Sequence, residues 1–586
     1  MRESRNLWRA VALAGVLLTV CACSFSPWFG AAVSPLAPSV TPSSTPAHTD
    51  SSDGSVPARA TFTPTPGSTP PPPPPRDPSL AREGIWVFPA PLAEEDRISV
   101  SVVPVLPQDA GSSFTITLSL ADGTVLAAPV ERLGLDGQAG ARFYWALQAP
   151  EGEVTLELTA TLATSPGADP DLSNNAVALS LPLLKRESLP PPEPEASWAT
   201  TETNGFSLHY LMGSAAERDL SEVVMEASQA YSDVVAVIGV PSDPVEIYLL
   251  DRVIGQGGYA SGAWAAISYA DRRFSPVTLG SVLRHELTHH VQAKLGCDGA
   301  ASLIQEGLAV HVSGGHYRKE PIHSRAAALV GGEYYIPLLR LVEDFYTYQH
   351  EVSYMEAASL VGYIVESSGW SGIEELCRAM TASEAEDALG RFESGLEAVG
   401  FGTLAALEAA WLDWLSEVPT TPADRYAFEI EVRLMDTMRG YQRMYDPGAH
   451  FLIGILLDPE EGARRDIVAD FARRPIDPQA IALELLLAGA QDAVLRRDYV
   501  SARTLVDLVQ AALKAPANAW PDVAVDVLGI TQLLLSQGFE PYRLTIVNDD
   551  VYRVEVLDRD EWPAQRSFVL QREGDVWSRM EAGSAE

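Results

Sequence analysis

Two clusters of proline partition this chain more firmly than any other feature of it. Proline has no amide hydrogen and a fixed φ, so it extends neither a helix interior nor a central strand. From Ser24 to about Pro78 the residues are largely Ser, Thr and Pro, closing in an unbroken proline run from Pro70 to Pro75. Such a stretch has too few large apolar side chains to bury and predicts an extended, partly polyproline spacer. A second cluster, Pro190-Pro191-Pro192-Glu193-Pro194, predicts a boundary between folded bodies. The 586 residues also exceed what a single core organises, at about 100–200 residues per domain. The expected divisions are a leader (1–22), the spacer (23–83), a first domain (84–186), a linker (187–198), and further domains over 199–383, 384–537 and 538–586.

The leader carries Arg2, Arg5 and Arg9 before an apolar run from Val11 to Ala22, too short to cross roughly 30 Å of hydrocarbon and patterned as a signal peptide. It ends Val20-Cys21-Ala22-Cys23, which resembles the bacterial lipobox, where a small residue precedes a cysteine that becomes lipidated. The resemblance implies Cys23 as a lipid anchor and an exported lipoprotein on the outer face of the cytoplasmic membrane or the cell surface. Ordinary signal cleavage is the alternative. No later run reaches about 20 apolar residues, so the anchor is the only membrane contact expected. With 41 basic against 78 acidic side chains, a net charge of -37 and no basic patch, nucleic acid is excluded as a partner. Cys297 and Cys377 are expected either as a disulfide, as an oxidising exterior favours, or as two buried thiols.

Short alternating runs such as Arg97-Ile-Ser-Val-Ser-Val102 and Ser113-Phe-Thr-Ile-Thr-Leu118, separated by turn residues, predict an all-β sandwich over 84–186. Its last segment, Asp169-Pro-Asp-Leu-Ser-Asn174-Asn175-Ala-Val-Ala-Leu-Ser-Leu, resembles the closing hairpin of CARDB-type adhesion modules. That implies an immunoglobulin-like fold and makes the sandwich a candidate surface for another surface protein. Beyond the second proline cluster, strands over Phe206–Leu211 and Val245–Leu250 flank a helix from Leu220 to Ile238, so an α+β domain is expected. Helical periodicity then dominates 384–537, predicting a mainly α-helical bundle, and alternation around Asp549-Asp550 and Gly574-Asp575 predicts a small antiparallel meander.

Within the α+β region, Ser275-Pro276 supplies a helix start, and Leu283, Leu287, Val291 and Leu295 form an apolar stripe. Beside that stripe stands His285-Glu286-Leu287-Thr288-His289. Four residues apart on a helix, two imidazoles project from one face and reach a single Zn2+, with the carboxylate between them placed to serve as general base. His290 points about 100° away from that face and is expected to support the site or lie on the surface. Gln292 and Leu295 occupy positions where a metzincin would have glycine and histidine, which excludes that branch.

Seventeen residues beyond His289, Glu306-Gly307-Leu308-Ala309 opens a second helix. Together these motifs resemble the gluzincin metallopeptidases, in particular the bacterial peptidase MA-like families, over roughly 200–383. The resemblance implies His285, His289 and Glu306 as ligands of one catalytic Zn2+, Glu286 as general base, and a peptide or protein substrate. It also implies that Tyr354, opening the helix Ser353-Tyr354-Met-Glu-Ala-Ala, stabilises the oxyanion. Asp298 is a rival third ligand; Glu306 also reads as an ordinary acid near a helix N-terminus, and Tyr354 as a packing aromatic. Tyr363 is expected in the core, and His311 and His316 as bystanders.

Aminopeptidases of this group carry G-x-M-E-N before the zinc helix. Here the stretch is Gly262-Ala263-Trp264-Ala265-Ala266, with alanines where the amine-binding glutamate and the asparagine would stand. An endopeptidase is therefore expected, with Gly262, Ala263 and Trp264 as the substrate-binding strand. The opposing reading is a surface adhesion or scaffold protein built around a zincin shell that no longer cuts.

Overall fold

The computed structural model describes residues 77–580, apart from 108–113, 135–137, 148–154, 165–168, 240–243, 263, 317, 331–333, 451–456 and 575. The expected leader, Cys23 and most of the spacer lie outside the described residues, as does Ala263. What is described runs from a strand-rich region, through a mixed region and a set of helices, to a four-stranded meander.

The first region consists of two sheets around one core. Ile85–Phe88, Arg97–Val102, Ala139–Ala146 and Glu131–Arg132 form one; Leu92–Ala93, Ala176–Leu184, Thr155–Ala163, Thr115–Leu120 and Val125–Pro129 form the other. Ile98, Val100 and Val102 of the first sheet and Ile116, Leu118 and Leu162 of the second bury their alternate side chains between the sheets. The linker expected over 187–198 is not a free spacer. Glu193 is buried and accepts hydrogen bonds from the Arg473 guanidinium, which also donates to Asp96 and to the Pro91 carbonyl at 2.7 Å. One arginine thus joins the β region, the proline-rich segment and the helical region, and its charge is tolerated in the interior because two carboxylates face it.

The second sheet system is the one that positions the functional residues. Its order is Trp198–Glu202, Phe206–Leu211, Val245–Leu250, Trp264–Ser268, Gly258–Ser261, with the middle three strands parallel and the two outermost antiparallel to their neighbours. Side chains alternate between two covered faces. Ile247, Leu249, Ala265 and Ile267 pack beneath the helices Leu220–Ile238 and Leu279–Gln292, whereas Tyr248, Leu250, Trp264 and Ala266 pack against Val468, Phe471 and Ala472.

The boundary expected at 383/384 does not coincide with a division between cores. The helices Ala388–Ala398 and Leu404–Ser416 share the core of the 199–383 region through Phe392, Leu396, Leu407 and Trp411. The helix Pro422–Tyr445 straddles both cores, with Phe428 and Val432 in the first and Ile430, Leu434, Met435 and Met438 in the second. The meander likewise has no core of its own: Tyr552, Val554, Val556 and Leu570 pack on the helices Pro478–Leu495, Tyr499–Leu513 and Asp522–Ser536. A four-stranded sheet this small needs a covered face to be stable, and the helices provide it.

Candidate metal centre

The helix carrying His285 and His289 spans Leu279–Gln292 and starts after Thr278, three residues later than Ser275-Pro276 suggests. Ser275 is unavailable as a cap because it is fully buried and its hydroxyl bonds the carbonyl of Gln256. Leu283, Leu287 and Val291 are buried along one stripe, so the helix is held on the sheet and its adjacent face presents the two imidazoles.

Glu306 enters from the helix Ser302–Ser313, which ends at Gly314 in the left-handed conformation. Gly307, next to it, permits a close crossing: a Cβ there would stand 2.5 Å from the Ala357 carbonyl oxygen and 2.7 Å from Val361 on the helix His350–Ala382. Glycine in this motif therefore sets the distance between the helices bearing Glu306 and Tyr354.

The three expected ligands converge. His285 Nε2 and His289 Nε2 are 3.2 Å apart, and Glu306 Oε2 lies 3.3 Å from the first and 3.4 Å from the second. Donors held tetrahedrally at roughly 2.1 Å from one centre stand about 3.4 Å from each other, so the spacing fits a single zinc-sized ion. Glu306 Oε2 is buried yet accepts no well-directed hydrogen bond, whereas its partner Oε1 accepts one from Tyr346 Oη at 2.6 Å. A buried carboxylate oxygen facing two imidazole nitrogens, its twin already engaged, suits a cation. Glu286, 5% exposed, also brings an oxygen within 4.8 Å of a ring nitrogen of each histidine.

Burial pushes the Glu286 carboxyl up, with His285 and His289 opposing and Glu306 reinforcing the shift. Burial acts on Glu306 in the same direction, but His289 and His285 outweigh it and hold this carboxyl well below its ordinary range. Of the two acids, Glu306 is thus the one held ionised, and Glu286 the one whose hold on a proton is raised.

The walls come from several elements. Gly258, on the edge strand, has Glu286 Oε1 3.0 Å from where a Cβ would stand, so the bare backbone of that strand runs alongside the candidate base. His290 Nδ1 donates to the Gly262 carbonyl at 2.9 Å and thereby tethers the hairpin turn. Trp264 departs from expectation. It lies on the interior strand with its ring on the face away from the zinc-motif helix, packed edge-on against Tyr248 and Tyr259, and 5% exposed. The edge itself is Gly258–Ser261, because strand alternation and the sheet order turn Trp264 inward.

Tyr354 does reach the site. Its ring stacks on His350 at 4.0 Å and on His316 at 5.0 Å between centroids, and lies 6.1 Å from that of His285. His316 is part of this wall: its Nδ1 donates to the buried Glu351 and its Nε2 accepts from Gln256 at 2.7 Å, linking the loop before the edge strand to the helix of Tyr354. Asp298 is exposed and takes no part in the cluster. His311 packs beside Trp370, and Tyr363 packs against Phe401 and Trp414. Of the two arrangements open to Cys297 and Cys377, the structure has the disulfide, which joins the segment between the helices of His289 and Glu306 to the far part of the helix His350–Ala382. Sequence reasoning missed Tyr346 and His350; each is a lone aromatic without a motif around it, and only packing brings them to Glu306 and Tyr354.

No family model matches the chain, and no curated protein does. Among solved structures, the native α-2-macroglobulin of Escherichia coli aligns with 84% of this chain at 12% identity and a TM-score of 0.13, and this chain spans 29% of its length. A crystal structure of that protein from domain MG7 to the C-terminus aligns with 85% of this chain and 73% of its own length, at 11% identity and a TM-score of 0.12.

Proposed function

We propose that the protein is an exported zinc metallopeptidase, more suited to internal than to terminal cleavage, and that residues 199–383 are its zincin-like catalytic part. The observation that carries this reading is the convergence of His285 Nε2, His289 Nε2 and Glu306 Oε2 to mutual separations of 3.2–3.4 Å beside Glu286. Two imidazoles and one carboxylate leave a zinc ion one open position, the stoichiometry of a catalytic rather than a structural site. When bound, zinc supplies Lewis acidity and makes a water molecule acidic near neutral pH.

The chain's own residues supply the rest of the chemistry. Glu286 takes the proton from the attacking water and returns it to the departing amine. Tyr354, whose phenol burial pushes well above its ordinary pKa, stays protonated and donates to the oxygen of the attacked carbonyl. The outer side of Gly258–Ser261 offers backbone groups on which an extended peptide adds as a further strand. Ala265 and Ala266 are buried in the interior strand, and neither provides an acid for a free amino terminus. An immunoglobulin-like reading of the β region, and a lipid anchor at Cys23, belong to the same proposal of a surface-held enzyme.

The test is metal content together with hydrolysis of a mixed peptide library, with Glu286→Gln as control. About one zinc per chain and cleavage reduced by roughly 100-fold or more in the control is the expected outcome. Undiminished turnover in Glu286→Gln would overturn the assignment of the base. Zinc without any cleavage would favour a scaffold protein, and no zinc would remove the reading altogether.

A further inference from the structure

The two ring nitrogens of His289 have different neighbours. Nε2 faces His285 and Glu306, while Nδ1 lies 3.0 Å from the side-chain amide of Gln292, one turn further along the same helix. Gln292 is 2% exposed and His289 8%, so the contact is made inside the protein. The amide nitrogen is the atom facing Nδ1, and Gln292 Oε1 is buried without a hydrogen-bond partner.

This orientation requires a lone pair on Nδ1, because an amide nitrogen only donates. The proton of a neutral ring then sits on Nε2, where it blocks the nitrogen that faces Glu306. An imidazole that gives Nε2 to a metal carries its proton on Nδ1 and needs an acceptor there. The oxygen and nitrogen of a glutamine amide are nearly equal in shape, and a half-turn of the group exchanges them. Resting on the zinc reading above, we infer that Gln292 is the positioning residue that selects the metal-binding tautomer of His289, its Oε1 accepting from Nδ1–H when zinc is bound. The spacing explains why this residue is placed to act: three residues beyond His289, its side chain lies over the same helical face.

The experiment compares full-length wild type, Gln292→Leu and Gln292→Glu by zinc competition against a chromogenic chelator, by melting of the zinc-free proteins, and by the His289 Nδ1–H resonance of the zinc-loaded proteins. Gln292→Leu is expected to bind zinc about 10–100-fold more weakly and to lose the slowly exchanging Nδ1 proton, while the zinc-free protein melts within a few degrees of wild type. Gln292→Glu, which retains an acceptor, is expected to restore both zinc affinity and the resonance. Wild-type affinity in Gln292→Leu, or a Gln292→Glu variant as weak as the leucine variant, would overturn the inference while leaving the metal site intact. Failure of the wild type itself to take up zinc would remove both.

Discussion

Two constellations of two histidines and one glutamate stand near each other on neighbouring helices, and only one of them is arranged as a site. His285, His289 and Glu306 turn Nε2, Nε2 and Oε2 toward a common point, with separations of 3.2–3.4 Å. His311, His323 and Glu366 do not. His323 Nδ1 is engaged by Ser359 at 3.1 Å, its Nε2 is 3.6 Å from a Glu366 that is 56% exposed, and the imidazoles pack against Trp370 and Trp414. His311 Nδ1 is buried without a partner, as Glu306 Oε2 is in the first cluster, so an unpartnered buried atom does not distinguish the two. What distinguishes them is convergence: among the described residues, only His285, Glu286 and His289 form a group of three whose potential ligand atoms all lie within 4.8 Å of one another, and Glu306 Oε2 stands 3.3 and 3.4 Å from the two imidazoles. Composition is shared, and the direction of the side chains decides.

The comparison is broken most directly by removing a histidine from each cluster. His289→Ala is expected to lose zinc and essentially all peptide hydrolysis, whereas His323→Ala should retain one zinc per chain and turnover within about twofold of wild type. Parallel zinc analysis and peptide assays check this, and loss of zinc in His323→Ala would show that the second cluster is a ligand set after all.

A smaller effect separates the glycines beneath the two clusters. A Cβ at Gly307 meets the Ala357 backbone oxygen at 2.5 Å, while one at Gly362 meets the His323 ring at 2.5 Å and the His311 ring at 3.1 Å, side chains rather than backbone. Gly307→Ala should therefore cost about 1–3 kcal/mol and weaken zinc binding by roughly tenfold, as the helix carrying Glu306 is pushed away. Gly362→Ala should cost about 1 kcal/mol or less and leave zinc binding unchanged. Urea unfolding and zinc competition on both variants would show whether helix spacing, rather than local crowding, governs the site.

A further difference is in the acid limb of stability. Burial, with His323 adding to it, pushes the His311 imidazole down to about 4 from its ordinary 6.5. A group whose folded pKa is depressed binds more protons unfolded than folded between those values. Its contribution is complete above about pH 6.5 and is lost as pH falls toward 4. In the zinc-free protein, His311→Phe should flatten the loss over that window by on the order of 1–3 kcal/mol, measured by urea unfolding at successive pH values. An unchanged slope would mean that His311 is not titrating as its burial requires.

Periodicity and motif spacing made the helices Leu279–Gln292 and Ser302–Ser313 legible from sequence, because a helix converts a separation of four residues into a shared face. The stripe Leu283, Leu287 and Val291, the pair His285 and His289, and the alternation around Asp549-Asp550 all follow from such local rules. The edge strand was less legible. Gly258–Ser261 and Trp264–Ser268 are both short and apolar, and strand order, which places one outside and turns Trp264 to the far face, is set by pairing across the sheet. The partition of the cores was less legible for a related reason. A long helix such as Pro422–Tyr445 shows one periodicity in sequence but serves two cores, and only its neighbours reveal which residues serve which.

The sequence alone determined which residues could act on a metal, since chemistry and helical spacing are local properties. It also sets the expectation that the Ser, Thr and Pro stretch before residue 77, which lies outside the described residues, forms no core, since proline interrupts the backbone pairing a core requires. The tertiary structure decided what surrounds those residues. Tyr346 on Glu306, Gln292 on His289, His316 and His350 on Tyr354, and Arg473 between three regions are contacts made by residues that no motif connects. A hydrogen bond or a packed ring depends on position to within a fraction of an ångström, and that precision exists only once the whole chain has closed around it.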